Sequence, residues 1–170
     1  MLQELLRPNW LMECTLAELP LEALQERGIR ALVLDVDRTL LPRRQTVVPA
    51  PALRWLEEAK QAFPIHLLSN NPSRQRIGSV AETLDLPYTT SAGKPRRSAL
   101  RRVLAQLNLP HHQVALVGDR IFTDVMAGNR LGLFTVLVKP IDGEGQPCQR
   151  DRLQKLELRL ADWMGAGLFG

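Results

Sequence analysis

Short apolar runs alternate with amphipathic helical stretches along most of the chain, and this alternation constrains the fold more than any other feature. The runs at 31–34 (ALVL), 65–68 (IHLL) and 114–117 (VALV) have the length and composition of buried strands. Residues 134–138 predict a further strand, and residues 88–90 a shorter one. Because strands separated by helices pair in parallel, the pattern predicts an α/β fold with a mostly parallel, five-stranded sheet covered on both faces.

Apolar side chains at helical spacing fill the stretches between the runs. Leu100, Val103 and Leu107, for example, share one helix face. The predicted helices span 51–62, 73–84, 96–107, 123–131 and 151–164. With 170 residues the chain suits one domain, 1–170, in which a core at about 25–140 is flanked by an N-terminal segment and the C-terminal helix.

The composition bounds the compartment and the class of protein. Apolar residues make up 45% of the chain and charged residues 24%, which is typical of a globular protein and excludes a disordered one. Cys14 and Cys148 stand far apart, without the CxxC spacing of a zinc site, and indicate a reducing compartment. No apolar run approaches the ~18–20 residues that span a bilayer, and no signal-peptide core precedes the first strand. We therefore expect a cytoplasmic protein, with peripheral contact to a membrane left open.

Polar residues with chemical potential follow the predicted strands. In parallel α/β sheets, ligands bind beyond the carboxyl ends of the strands, so these residues should converge at one edge of the sheet. They are Asp35, Asp37, Ser69, Asn70, Lys94, Asp119 and Asp124. Each has a structural alternative when taken alone, since an aspartate or Ser69 can cap a helix and Lys94 can be a surface lysine. The combination, in this order and directly after strands, favours an active site.

The residue types at these positions suit phosphoryl transfer. Clustered carboxylates repel one another unless a cation lies between them, and oxygen ligands select a hard cation such as Mg²⁺. Asp35 can attack phosphorus while Asp37, two residues away, moves the proton of the leaving group. Lys94 would then balance the charge of the phosphoryl oxygens.

Four segments resemble, in order, the four motifs of the haloacid-dehalogenase (HAD) superfamily: ALVLDVDRTL, LLSNN, GKP and VALVGDRIFTD. This resemblance implies a three-layer, Rossmann-like fold with strand order five-four-one-two-three. Residues 5–42, together with SNNPS, AGKP and GDRIFTDV, resemble the YqeG-type phosphatases, a branch of subfamily III without a cap domain. That branch is similar to enzymes that convert phosphatidylglycerophosphate to phosphatidylglycerol. Arg38 departs from the branch, which more often has asparagine there.

The resemblance also implies a role for each residue. Asp35 would be the nucleophile and a metal ligand, and Asp37 the general acid and base with its backbone carbonyl on the metal. Ser69 and Asn70 would bind the phosphoryl group, whose charge Lys94 would balance. Asp119 would ligate Mg²⁺, and Asp124 would support the metal through water or orient Lys94.

The motif spacing leaves no room for a cap domain. Between Asp37 and Ser69 there are 31 residues, and between Ser69 and Lys94 there are 24, whereas independent domains begin near ~50. An open site favours a macromolecular or interfacial substrate. The N-terminal apolar residues, among them Leu6 and Trp10, could contact lipid or pack on the sheet as an added helix.

These observations predict a Mg²⁺-dependent phosphomonoester hydrolase that forms an aspartyl-phosphate, with a phospholipid headgroup, phosphatidylglycerophosphate, as the first substrate candidate. A soluble phosphatase of a nucleotide, sugar phosphate or phosphoprotein is the alternative. A non-catalytic binding module is disfavoured because both Asp35 and Asp37 are present. The net charge of +4 comes with paired arginines but few aromatic residues, so we expect an anionic substrate and no nucleic acid.

Overall fold

The computed structural model describes residues 1–169, and Gly170 lies outside them. The α-helices are α1 (Leu2–Leu6), α2 (Leu21–Glu26), α3 (Ala50–Ala62), α4 (Arg74–Leu84), α5 (Ser98–Leu107), α6 (Met126–Asn129) and α7 (Arg152–Ala161). The strands are β1 (Trp10–Leu11), β2 (Ala31–Leu34), β3 (Ile65–Leu68), β4 (Tyr88–Thr89), β5 (Val114–Gly118) and β6 (Phe134–Leu137). Short 3₁₀ turns lie at Leu16–Glu18 and His111–Gln113, and π-helical turns at Ile121–Val125 and Asp162–Ala166.

The strands form one sheet in the order β1-β6-β5-β2-β3-β4, and every neighbouring pair is parallel. The predicted α/β fold and the order of the five predicted strands are confirmed. The predicted number of strands is wrong, because the sheet has six. The sixth, β1, pairs Trp10 with Val136 at the edge of the sheet, and its two residues are too few to show a strand period.

Two apolar cores cover the sheet, one on each face. On the central strand β2, Leu32 and Leu34 belong to the core that α3 and α4 cover. Ala31 and Val33, which point the other way because side chains alternate along a strand, belong to the core beneath α5 and α6. All four side chains are fully buried. The chain thus has the three predicted layers, and its most buried strand leads directly to Asp35.

The N-terminal segment packs on the core, one of the two interpretations left open by the sequence. Leu6 is fully buried in a third apolar cluster with Leu137 on β6 and Leu158 on α7. The segment contributes a short helix and the edge strand rather than a helix alone. Among the residues described, no helix has the length and apolarity to cross a membrane.

Short connections separate the strands, so no inserted cap domain covers the sheet edge. Only α3 lies between β2 and β3, and only α4 between β3 and β4. The carboxyl ends of β2, β3 and β5 therefore open to a cavity whose walls come from loops and from α7.

Candidate active site

One cavity of about 570 Å³ lies at the carboxyl edge of the sheet, and all seven residues predicted for the site line it. Its remaining walls come from Arg38, Arg43, Arg44, Asn71, Arg76, Arg120, Thr123 and Leu153. Three of the arginines that the sequence shows in pairs, Arg43, Arg44 and Arg76, are thus at the site. The cavity therefore combines buried carboxylates at its base with cations around its mouth.

Lys94 connects the acidic residues at the base of the cavity. Its ammonium Nζ donates to Asp35 Oδ1 and to Asp124 Oδ1, each at 2.7 Å, and to the carbonyl of Leu68 at 2.9 Å. The side chain of Lys94 is only 2% exposed, so these three acceptors satisfy all three of its protons. Burial alone would lower the pKa of Lys94, but the charges of Asp124 and Asp35 outweigh it and raise that pKa above its usual range. The lysine is therefore a permanent cation at the end of β2.

Three buried carboxylates surround this ammonium and repel one another. Oxygen atoms of Asp35, Asp119 and Asp124 all lie within 4.8 Å of each other. Burial, and then the charge of Asp124, raises the pKa of Asp35 to about 6 even though Lys94 opposes the shift. Burial, followed by Asp35 and Asp124, raises the pKa of Asp119 well above its usual value. One ammonium does not compensate the three carboxylates, and the cluster has the donor chemistry of a site for a hard cation.

Asp124 and Asp119 differ in how many partners they have. Both oxygens of Asp124 are engaged, Oδ1 by Lys94 and Oδ2 by the backbone N–H of Arg120 at 3.1 Å. Among the residues described, the Asp119 carboxylate accepts only a long contact of 3.4 Å from the Thr39 hydroxyl, which also lies 3.1 Å from Asp35 Oδ2. Asp119 is therefore the carboxylate with the most free coordinating capacity, whereas Asp124 is occupied in holding Lys94.

Gly118 makes this arrangement possible. A Cβ atom at position 118 would lie 2.3 Å from the carboxylate carbon of Asp124, far inside van der Waals contact. The glycine before Asp119 thus lets the Asp124 side chain fold back against the end of β5 and reach Lys94. In the sequence pattern Gly118-Asp119, the glycine leaves room for the Asp124 side chain and the aspartate contributes a carboxylate to the cluster.

Asp37 lines the cavity, half-buried, and its partners differ from those of the buried cluster. Its Oδ1 lies 2.7 Å from Arg76 Nη1, and its Oδ2 accepts from the Asn71 amide at 3.1 Å. Arg76 is itself held by the loop before α3, since its guanidinium donates to the carbonyls of Gln45 and Pro42. The ion pair therefore ties Asp37, in the loop after β2, to the first turn of α4.

The residues after β3 have divided roles. Ser69 Oγ accepts from the Asn71 N–H at 3.0 Å, and its hydroxyl proton has no acceptor among the residues described, so it can donate to a ligand. The helix cap that Ser69 might have supplied comes instead from Ser73, whose Oγ accepts from the N–H of Arg76. Asn70 makes a reciprocal pair with the backbone of Lys94, at 2.8 and 3.0 Å. Its side chain thus positions Lys94, and the second proton of its amide stays available to a ligand.

Helix α7 forms one wall of the site and contacts the loops that follow β2, β5 and β6, the last through a hydrogen bond of 2.8 Å from Gln154 to the carbonyl of Val138. Asp151, which caps α7, lies 2.7 Å from Arg38 on the nucleophile loop. Gln154 donates to the carbonyl of Asp119 at 2.8 Å, and Glu157 accepts from the guanidinium Nε of Arg120 and from the N–H of Ile121. The C-terminal helix is therefore part of the site's framework.

Sequence reasoning missed Arg76, Gln154 and Glu157 as site residues. Gln154 and Glu157 are three apart and share one helix face, which is visible in the sequence, but nothing local shows that this face meets the site. Arg76 lies on the first turn of α4, seven residues after Ser69. The sequence showed it only as one of the arginines that give the chain its positive charge.

Two curated phosphatases are similar to the chain in sequence. It is 32% identical over 121 residues to the "Probable phosphatase YqeG" of Bacillus subtilis, a match that covers 71% of this chain and 70% of that protein. It is 31% identical over 157 residues to the chloroplastic phosphatidylglycerophosphate phosphatase 1 of Chlamydomonas reinhardtii. That match covers 86% of this chain, which spans little more than half, 58%, of the algal protein.

A family model and a solved structure agree with these relatives. The model described as HAD-hydrolase-like matches residues 91–156. A Legionella pneumophila protein described as a HAD-superfamily hydrolase of subfamily III A has the same fold, with a TM-score of 0.51 at 15% identity over 83% of this chain and 88% of that one. By its likeness to YqeG over most of both proteins, and by its fold, the chain belongs to the HAD-like phosphatases of the YqeG type.

Proposed function

We propose that the chain is a Mg²⁺-dependent phosphomonoesterase that forms an aspartyl-phosphate on Asp35. The observation that carries the proposal is the sharing of the Lys94 ammonium between Asp35 and Asp124, at the base of a cavity that also contains Asp119. A carboxylate held against a buried cation at the end of a parallel strand is oriented for attack on a phosphoryl group entering from the open side.

The residues present fit a magnesium ion. Asp35 and Asp119 would hold it, with the backbone carbonyl of Asp37. The pKa values of both carboxyls are raised by burial and then by mutual repulsion, which a cation would relieve. When bound, Mg²⁺ supplies positive charge against the phosphoryl oxygens. Asp124 has both oxygens engaged and would act by keeping Lys94 in place.

The first half-reaction transfers the phosphoryl group to the enzyme. An Asp35 oxygen forms a bond to phosphorus, and the bond between phosphorus and the ester oxygen breaks. The departing ester oxygen takes a proton from Asp37, which the first half-reaction requires in its acid form. Lys94 and the Ser69 hydroxyl would contact the charged oxygens during the transfer.

The second half-reaction regenerates Asp35. Asp37, now a carboxylate, takes a proton from the water that attacks phosphorus, and the bond between phosphorus and Asp35 breaks to release phosphate. The guanidinium of Arg76 lies 2.7 Å from Asp37 Oδ1 and holds that side chain in place. Arg76 would therefore position the base for the hydrolytic step.

We infer that the substrate is a phosphate monoester on a phospholipid headgroup, with phosphatidylglycerophosphate as the first candidate. The chloroplastic relative bears the name of that activity. The open cavity can admit a headgroup that stays attached to a membrane, and the arginines at its mouth, Arg43 and Arg44, suit a substrate with more than one negative charge.

The test is Mg²⁺-dependent phosphate release from phosphatidylglycerophosphate in mixed micelles, beside a panel of soluble phosphoesters and with Asp35→Asn as the blank. We expect turnover of the lipid to exceed that of every soluble ester and to stop with EDTA. Preference for a nucleotide or sugar phosphate would keep the chemistry and overturn the lipid substrate. Turnover by Asp35→Asn would overturn the covalent mechanism.

A further inference from the structure

The exposed face of α7 carries an apolar stripe with no partner among the residues described. Leu153, Leu156, Leu160 and Trp163 are spaced three, four and three residues apart, so they align along one side of the helix and its continuation. Leu156 is 54% exposed and Trp163 84%. Large apolar side chains are rarely exposed in a continuous row, and such rows mark interaction surfaces.

A cationic row runs beside this stripe. Arg152, Lys155 and Arg159 repeat at the same spacing, one position before each leucine, and all three are exposed. Glu157, the one acidic residue within α7, is buried against Arg120 and Ile121, and Asp162 at the end of the row is half-buried and accepts from the N–H of Leu168. The outer surface of α7 thus presents an apolar stripe and a positive row, the arrangement of helices that lie in the interface of an anionic membrane.

The stripe begins at the active site. Leu153 lines the catalytic cavity and is also the first residue of the stripe. The buried face of α7 is fixed to the loops of the site through Asp151, Gln154 and Glu157. A surface that engaged the stripe would therefore lie directly beside the cavity mouth, in a fixed relation to Asp35.

We propose that α7 is the docking surface of the enzyme for an anionic phospholipid bilayer. The proposal rests on the proposed function, which makes the cavity the active site, and it adds that α7 brings this site to its lipid substrate. The three leucines and Trp163 enter the interface, the cationic row contacts acidic headgroups, and the cavity opens at headgroup level. Charge favours a bilayer over two-fold pairing of two copies, which would bring together two rows of three exposed cations with only the half-buried Asp162 of each copy to oppose them.

The matched variants lie outside the cavity. In Leu156→Ser/Leu160→Ser the stripe loses its centre, whereas Val47→Ser removes an equally exposed apolar side chain that is not on α7. Lys155→Gln/Arg159→Gln removes two cations and keeps the leucines. Thermal unfolding checks that each variant is folded, because all of these side chains are exposed.

Binding is measured by sedimentation with vesicles of equal parts phosphatidylcholine and phosphatidylglycerol, which contain no substrate. We expect the unaltered protein to be retained, Val47→Ser to behave like it, and the leucine variant to bind at least about tenfold more weakly. Loss of the cations should weaken binding at low salt and have less effect at high salt. The tryptophan emission should shift to shorter wavelength with vesicles, and Trp163→Phe should remove that shift.

Different failures have different meanings. Turnover of phosphatidylglycerophosphate in micelles without retention on vesicles would overturn the docking surface and leave the proposed function standing. Retention without turnover of that lipid would support the docking surface and overturn the substrate. A dimer in light scattering that the leucine variant dissociates, with vesicle binding unchanged, would show that a second copy covers the stripe and would overturn the proposal.

Discussion

Replacing Asp35, the proposed nucleophile, by asparagine should make the metal-free protein more stable while it abolishes turnover. Asp35 is buried beside Asp124, and its pKa of about 6 exceeds the ordinary value of 3.8. The difference corresponds to about 3 kcal/mol, the free energy that the folded protein loses by keeping this carboxyl ionised at neutral pH. Asp35→Asn removes the charge at nearly constant volume, and its amide can still accept from Lys94 and donate to the Thr39 hydroxyl.

The sign of the effect depends on pH in a defined way. Because the pKa of Asp35 is raised by folding, the carboxyl is protonated in both states below its ordinary value of 3.8, and the destabilisation is absent there. It grows as the pH rises through about 6 and is complete above that value. The advantage of Asp35→Asn should therefore be largest at neutral pH, up to about 6–12 °C in Tm, and should vanish in acid.

Calorimetric unfolding in EDTA, at neutral and at acid pH, measures this difference. Glu57→Gln on the exposed side of α3 removes the same charge at the surface and should change stability by less than ~0.5 kcal/mol. A less stable Asp35→Asn at neutral pH would mean that the contact of Asp35 with Lys94 outweighs burial and repulsion. An advantage that did not vary with pH would show that titration of Asp35 is not its cause.

Three further perturbations test other parts of the site. Asp37→Asn should slow turnover by ~10²–10⁴, with a smaller loss on aryl phosphates because their leaving groups need no proton; equal losses on aryl and alkyl esters would contradict the acid role. Gly118→Ala should lower the free energy of unfolding by ~1–3 kcal/mol and weaken activity, because the new methyl group would lie 2.3 Å from Asp124. Gly143→Ala is the control: its new methyl group would have its nearest neighbour at 3.6 Å, so it should unfold like the unaltered protein in the same assay. Saturating Mg²⁺ at about 100 times its Kd should stabilise the protein by ~2.7 kcal/mol, and Asp119→Asn should lose that gain; an undiminished gain would place the ion elsewhere.

The fold was predictable from the sequence wherever a strand is buried on both faces. The strands β2, β3 and β5 are covered on both faces, so every residue except His66 is apolar or small and the runs stand out from their neighbours. The edge strand at Trp10 has two residues and a single neighbour, and its pairing comes from the tertiary position of β6. Helix α5 begins at Ser98 rather than Arg96, the kind of boundary shift that helical spacing does not resolve.

The residues at the base of the site were also predictable, because residues that directly follow parallel strands meet at one edge of the sheet. The contacts of Arg76 with Asp37, and of α7 with three loops, depend on how surface helices dock, and helical periodicity does not specify that. Arg38 shows a further limit. Its φ of 68° lies in the left-handed region, where asparagine is favoured, so the asparagine common in this branch suits the backbone. The arginine is held there by Asp151, a residue 113 positions away.

The attachment of α7 to the loops after β2, β5 and β6 has a consequence for the order in which the enzyme becomes competent during synthesis. All six strands precede α7 in the chain, so a nascent chain can complete its sheet and gather its aspartates before residues 151–157 leave the ribosome. At that stage Arg38 lacks the partner that steadies its left-handed backbone, and the N–H of Ile121 lacks its acceptor. Docking of α7 therefore completes the framework of the site after the sheet and its aspartates are already in place.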